Sequence, residues 1–453
     1  MSWSGDAWLQ RRGPRDPHCL TAPGLVEHFF RHEYGRLVAT LARRVGVRHL
    51  EDVEDAVQSA LLTAFETWSR TGLPNNPGGW LFRVAYNHLL GELRLRSRRK
   101  RILEAHPAEE FSGDQALAEP ATEPEVQDAL LQMLFACCHE AIPDDSQLVL
   151  ALRTLCGFDA REIALRLFST EANVYKRLER ARKRLQATSF PTREMDREKE
   201  AARLPGVQRI LYTLFTEGYL SSREDAAIRR ELCDEAVRLA TLLATHRVGS
   251  TPESFALLAL MHFHRARLAS RQDGSGGLLL LEEQDRTRWN PDDIQEGFGW
   301  LAKSAQGNRF SRYQAEAGIA AEHCRAANFR DICWEKIAEC YALLEQTTPS
   351  ALHRLNRAVA VAEWRSPAEG LAILEGFEPP GWLAGSYMWA AVLADLHRRN
   401  GDSESAERYG TTALQLAPTE KIRRLLEKRL TAAVMRPDSP AIDPRSHTPP
   451  RAP

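Results

Sequence analysis

The chain has little of what marks a secreted scaffold, a membrane protein or an enzyme. Eight cysteines in 453 residues are too sparse for a disulfide framework, and Cys137 and Cys138 are adjacent rather than bridge-spaced, so reduced thiols are expected. No run of about eighteen apolar residues could span a bilayer, and residues 1–17 lack the basic and then apolar segments of a secretory signal. A cytoplasmic protein without membrane contact is expected. Net charge is nearly absent too: 60 basic residues against 61 acidic leave −1, which argues against a surface that grips nucleic acid all over. Alternating apolar and polar residues of strand type are almost missing, so the fold class is predicted to be all-α. A phosphate-cradling Gly loop, H-E-x-x-H and G-x-S-x-G are also missing, so no enzyme and no cofactor is expected. Cys137, Cys138 and His139 share one predicted helix without a distant partner at ligand spacing, which points to a structural role and no metal.

What the chain has is helical spacing almost throughout, and positive charge gathered in two places. Arg94, Arg96, Arg98, Arg99, Lys100 and Arg101 close one predicted helix. Lys176, Arg177, Arg180, Arg182, Lys183 and Arg184 crowd another, opposed only by Glu179. Between them, 106–125 is rich in Ala, Pro and Glu with little apolar period, the composition of an extended acidic linker. The Pro-rich end, 436–453, cannot pack and is expected to be a disordered tail.

In the first basic module, residues 51–70 set Val53, Val57, Ala60, Leu61, Ala64, Phe65 and Trp68 in one stripe that should face a core, with Asp52, Asp55, Gln58 and Glu66 opposite. After a loop at 71–77, a helix is predicted over 78–99 with Leu81, Val84, Ala85 and His88 inward and Arg83, Asn87 and Arg94 outward. Gly91 costs this helix about 1 kcal/mol relative to alanine, a local weakening. Trp80, Phe82 and Tyr86 could stack on unpaired bases while the cations meet phosphate. The other reading makes Trp80 core and the arginines a solvated helix end that complements the dipole.

In the second module, helices are predicted over 124–142, 145–155 and 159–168, then a break at Ser169 and Thr170, then a helix over 171–187. This last helix should bury Val174, Leu178, Ala181 and Leu185 and turn its cations outward, completing a helix-turn-helix. The N-terminal turn of such a helix enters a major groove, which makes Glu171, Asn173, Lys176 and Arg177 base-edge candidates. Arg180, Arg182 and Lys183 lie further along, where flanking phosphates run.

The runs D-V-E-D-A-V-Q at 52–58 and G-W-L-F-R-V-A-Y-N at 79–87 resemble region two of bacterial RNA polymerase sigma factors of the extracytoplasmic-function type. F-D-A-R-E-I-A at 158–164 and R-L-E-R-A-R-K-R-L at 177–185 resemble region four of the same family. The resemblance implies a protein that binds core RNA polymerase and directs it to promoter DNA. In that family the first helix of region two docks on a coiled coil of the largest polymerase subunit. The second helix and its preceding loop capture the minus-10 element, and region four reads the minus-35 element. By residue match, Asp55, Gln58 and Leu62 would touch polymerase, and Asn76, Arg83 and Asn87 would sit at DNA, with Trp80 and Arg94 beside them. Tyr175 stands where the family has a lysine or arginine, which puts that phosphate contact in question.

Beyond a boundary near 189–200 the chain is predicted to be helical to about 433. Residues 389–418 look like one tetratricopeptide unit, in which Ala390 and Leu393 pack the first helix, Gly401 makes the turn, Ala406 and Tyr409 pack the second and Pro418 ends it. A weaker copy covers 351–377. L-Y-T-L-F-T-E-G-Y at 211–219 and Q-D-R-T-R-W at 284–289 are similar to segments that recur in sigma factors with such a C-terminal domain. The second segment is predicted to be a loop. Its Asp285, Arg286, Arg288 and Trp289 would form an interface to the N-terminal half or to a protein partner, or else an internal loop that closes the repeat stack.

The predicted organisation is region two at 22–103, an acidic linker at 104–124, the region-four helix-turn-helix at 125–188, a tetratricopeptide-like domain at 200–433 and the tail. The expected function is a sigma factor that its C-terminal domain regulates or assists. The rival is a helix-turn-helix regulator or repeat-domain scaffold that works without polymerase.

Overall fold

Apolar residues recurring every three or four positions, with polar caps between the runs, give a helical chain. A computed structural model describes residues 22–104, 120–167, 169–187, 196–221, 227–274, 276–306 and 310–432. Among these residues there is no strand, only an isolated antiparallel bridge between Gln272 and Leu278. No helix among them is long and apolar enough to cross a membrane. The expected tail at 436–453 and most of the expected linker lie outside the described residues, as do the side chains of Arg99, Lys100 and Arg101.

The first three helices are α1 (Ala22–Val45), α2 (Leu50–Thr71) and α3 (Pro77–Glu104). The stripe of α2 buries Val53, Ala56, Val57, Ala60 and Ala64. Phe65 departs from expectation: it is 61% exposed. It lies about 100° round the helix from Ala64, outside the narrow face that small residues bring close to the neighbouring helices. The inward face of α3 is likewise turned from the expected one, comprising Leu81, Phe82, Ala85, Tyr86, Leu89 and Leu93, while His88 is exposed. α3 passes through Gly91 without a break and runs beyond the predicted end at 99.

The helices α4 (Glu123–Cys137), α5 (Asp144–Thr154), α6 (Ala160–Arg166) and α7 (Glu171–Ala187) follow. Thr122 and Glu125 form a reciprocal cap that starts α4, with the Thr122 amide donating to Glu125 at 2.7 Å and Pro124 in the first turn. α4 stops at Cys137 rather than near 142, and a short turn leads to Pro143 at the start of α5. The ring nitrogen Nδ1 of His139 accepts from the Ala141 amide at 3.1 Å in the turn that follows. Cys137 and Cys138 are buried, and burial pushes the Cys137 thiol up to about 12.

Four further helices, α8 (Arg197–Tyr219), α9 (Arg230–Thr245), α10 (Pro252–Ala266) and α11 (Pro291–Ser304), share a core with the first seven. Leu81 of α3, Phe135 of α4, Leu150 of α5, Val174 of α7, Leu211 of α8 and Leu243 of α9 belong to one apolar cluster. The described residues fold into two spatial units, one running from Ala22 to Leu268 together with Asn290–Ala321 and the other made of Ala269–Trp289 and the described residues from Glu322 on. The boundary expected near 189–200 therefore does not divide the core.

After α12 (Arg312–Arg325) the second unit continues with α13 (Trp334–Thr347), α14 (Ala351–Trp364), α15 (Pro367–Leu374), α16 (Gly381–Ala384), α17 (Tyr387–Arg399), α18 (Ser403–Gln415) and α19 (Glu420–Ala432). The side chains of Ser350, Ser366, Ser386 and Asp402 each accept from an amide in the first turn of the helix that follows, which sets the starts of α14, α15, α17 and α18. α17 and α18 form a hairpin whose turn holds Gly401 at φ +84°, a conformation that strains any residue with a Cβ. Ala390 and Leu393 are buried in it, with Ala406 and Tyr409 half-buried.

Candidate polymerase and promoter interface

On α2, Asp55, Gln58 and Leu62 are all exposed and share one face of the helix. Leu62 is 67% exposed and Phe65, one turn on, extends the same face with a second large apolar group. The acidic residues beside them behave differently. Asp52 is buried, paired with Arg96 and 3.4 Å from His49. Glu54, 2% exposed, is paired with Arg182 of α7. Burial pushes the Glu54 carboxyl up, and the Arg182 charge opposes that shift.

At the start of α3, Asn76 Oδ1 accepts from the Gly79 amide at 2.8 Å, with Pro77 at the first helical position. Asn76 thus caps the helix that carries the remaining candidates. Arg83, Asn87 and Arg94 are exposed along one face of α3, whereas Arg96 is drawn back to Asp52. Among the three aromatics considered for stacking, only Trp80 keeps surface. It is half-buried against Trp68 with ring centroids 5.4 Å apart, while Phe82 and Tyr86 lie in the core. Phe82 and Tyr86 therefore cannot stack on bases in this arrangement.

The helix-turn-helix forms from α6 and α7. Asp159 and Glu162 cap α6 reciprocally, at 2.7 Å and 3.0 Å, and Thr170 Oγ1 accepts from the Asn173 amide at 3.3 Å to start α7. Val174, Leu178, Ala181 and Leu185 are buried, and Glu171, Asn173, Lys176, Arg180 and Lys183 are exposed. Tyr175 is exposed as well. Three cations of the helix are engaged within the chain: Arg177 with Asp145 at 3.0 Å, Lys183 with Glu179 of the same helix at 2.7 Å, and Arg182 with Glu54 and, at 3.7 Å, Glu51. In this arrangement Arg182 does not face outward as a phosphate contact, because the buried Glu54 carboxylate holds it.

Sequence reasoning missed this pairing of the two basic modules. It is reinforced by Arg36, whose Nη1 donates to Glu123 at 3.1 Å, and by Arg43, 2.6 Å from Asp128. At Gly35 of α1 a Cβ would lie 2.1 Å from the carbonyl oxygen of Leu155, so the approach there requires glycine. The signal available in sequence was the acidic residue 54 on the apolar side of α2, one step from Val53.

The 284–289 segment, expected to be a loop, holds one 3-10 turn over Arg286–Arg288 between extended residues, and two of its candidate interface residues point inward. Arg286 Nη1 donates to the carbonyl oxygens of His323 at 2.5 Å and Ala326 at 2.9 Å, and its guanidinium lies 4.5 Å over the ring of the buried Trp289. The last carbonyls of α12 carry partial negative charge that suits a guanidinium. Asp285 accepts from the Thr287 amide at 3.0 Å, and Asp285 and Arg288 remain exposed. Arg286 and Trp289 are thus internal to the second unit.

Three family models match the chain: Sigma-70 region 2 at residues 30–99, Sigma-70, region 4 at 132–185, and a family of unknown function (DUF6596) at 203–305. An uncharacterized protein of Rhizobium meliloti (strain 1021) is 34% identical over 376 residues, covering 82% of this chain and 87% of that protein. No solved structure matches. The region 2 match contains the exposed face of α2 and the cationic face of α3, and the region 4 match contains the helix-turn-helix. The chain therefore belongs to the sigma-70-like sigma factors of the extracytoplasmic-function type, which bind RNA polymerase and promoter DNA, and it carries a further helical region after region 4.

Proposed function

We propose that Asp55, Gln58 and Leu62, joined by Phe65, dock this sigma factor on core polymerase. Trp80, Arg83, Asn87 and Arg94 then hold the melted minus-10 strand, with Asn76 fixing the start of their helix. Glu171, Asn173, Lys176 and Arg177 read minus-35 base edges, and Arg180, Lys183 and a released Arg182 meet phosphates. The protein works in the cytoplasm, with region two at 22–103, a linker at 104–124 and region four at 125–188. The C-terminal helical region, 200–433, regulates or assists initiation, its α14–α15 and α17–α18 hairpins being tetratricopeptide-like and open to a partner protein.

The observation that carries this reading is the division of α7 into a buried apolar stripe and an exposed polar face, on the same chain as the exposed Asp55, Gln58 and Leu62 face. A regulator that worked without polymerase would have no use for the second. The test is capture of core RNA polymerase by the full-length protein and by an Asp55→Ala, Gln58→Ala variant. Retained helical signal with at least about tenfold weaker capture supports the assignment, and equal capture contradicts it.

A further inference from the structure

The segment that matches the family of unknown function begins on α8, which packs on α4 and α5 and reaches α6 of the helix-turn-helix through polar and charged side chains. Both ends of α6 are held there. At its N-terminal end, Arg229 Nη1 donates to Glu162 at 3.1 Å, and its Nε donates to Glu231 at 3.3 Å. The Arg229 guanidinium lies 5.4 Å from the ring centroid of the buried Phe158. Glu162 is the same residue that closes the cap of α6 with Asp159. At the other end, Arg166 donates to the Thr216 hydroxyl and lies 3.6 Å from Glu217, while Glu217 is also 4.0 Å from Arg229. The Arg229 amide donates to the Gly218 carbonyl at 2.8 Å. Thr216, Glu217 and Gly218 belong to the L-Y-T-L-F-T-E-G-Y run, whose recurrence the sigma-factor activity alone did not explain.

Glu162, Glu217 and Arg229 are all buried. Apolar faces can slide over one another at modest cost, but charged groups taken out of water are compensated only where their partners stand. The network therefore permits one register of α8 on α6. Since α7 packs on α6, it also fixes the angle at which α7 is presented.

We propose that α8 and the start of α9 form a positioning platform for the helix-turn-helix, with Thr216, Glu217 and Arg229 as positioning residues for base-specific reading of duplex DNA. This rests on the sigma-factor reading above. Orientation matters for base edges far more than for phosphates, which accept cations from a range of angles. Loss of the platform thus lowers specificity before it lowers affinity.

The experiment uses the full-length chain, a duplex recovered from a random pool by the protein bound to core polymerase, and a scrambled duplex of the same composition. Arg229→Ala is expected to lower the preference for the recovered duplex about tenfold while binding to the scrambled duplex stays within about twofold. Thr216→Val, a milder change that removes the hydroxyl acceptor for Arg166 and that hydroxyl's bond to the Thr213 carbonyl while leaving Arg166 beside Glu217, is expected to lower it about threefold and decides the matter if Arg229→Ala does not fold. Capture of core polymerase stays unchanged in both, since α2 is untouched. An unchanged preference in folded variants overturns the platform, as does a parallel fall on both duplexes that tracks loss of helical signal. A wild-type chain that captures no polymerase and recovers no duplex overturns the sigma-factor reading and the platform together.

Discussion

Arg182 of α7 and Glu54 of α2, 128 residues apart in sequence, form an ion pair whose carboxylate is 2% exposed. On the proposed assignment, one partner stands on the helix that would read duplex DNA and the other on the helix that would dock on polymerase. That assignment sets promoter phosphate and Glu54 in competition for one guanidinium.

Glu54→Gln weakens the carboxylate's hold and is expected to raise affinity for duplex DNA, with the dependence on salt steepening by about one counterion as Arg182 reaches a phosphate. Arg182→Ala should instead cost about 2–3 kcal/mol of stability by leaving Glu54 buried without its cation, less than for a fully enclosed pair because Arg182 keeps some solvent access. Titrations at several salt concentrations and urea unfolding check both. No change in the salt slope of a folded Glu54→Gln protein contradicts the competition.

Phe65→Ala and Leu62→Ala remove side chains that are mostly in solvent, so stability should change by less than about 0.5 kcal/mol. Polymerase capture is expected to weaken at least about tenfold in each, as for buried anchors of an interface. Variants that unfold early, or that capture polymerase normally, would show that this face is not the docking surface.

Arg286→Ala leaves the His323 and Ala326 carbonyls without their cation and should destabilise the second unit by about 1–3 kcal/mol. Arg288→Ala, at an exposed position, should change it by less than about 0.5 kcal/mol. Thermal unfolding of the two variants side by side tests the inward placement of Arg286. Equal effects would refute it.

The hydrogen bond from Arg36 holds the Glu123 carboxyl below its ordinary value. A lowered folded-state value means a contribution that is fully present above the ordinary carboxylate range and is lost as pH falls through the lowered value. The stability difference between wild type and Glu123→Gln should therefore be present at neutral pH and vanish in acid. A difference that persists unchanged below the carboxylate range contradicts the role of this ion pair.

Local features were legible in the sequence and distant ones were not. The bounds of α7 and its buried residues Val174, Leu178, Ala181 and Leu185 follow from spacing and caps within a few residues, so periodicity suffices. Phe65, Phe82, Tyr86 and His88 sit at the edges of apolar stripes, where one step along the chain turns a side chain by about 100° and reverses its exposure. The roles of Glu54, Arg182, Arg229 and Arg286 depend on partners 37 to 128 residues away, which no local pattern encodes. The continuity of the core past 200 was hidden for the same reason. It means that cutting the chain near 195 would strip Leu204, Val207 and Leu211 from the cluster that supports region four, so truncation there tests folding as much as regulation.

As a sigma factor, this chain is expected to direct RNA polymerase to promoters. The direct measurement is transcription in vitro with purified core polymerase and the full-length protein on templates recovered by selection. Initiation at a defined site is expected, dependent on the added chain and lost in the Asp55→Ala, Gln58→Ala variant. Failure of the wild-type chain to associate with core polymerase, together with no initiation from any selected template, would contradict it.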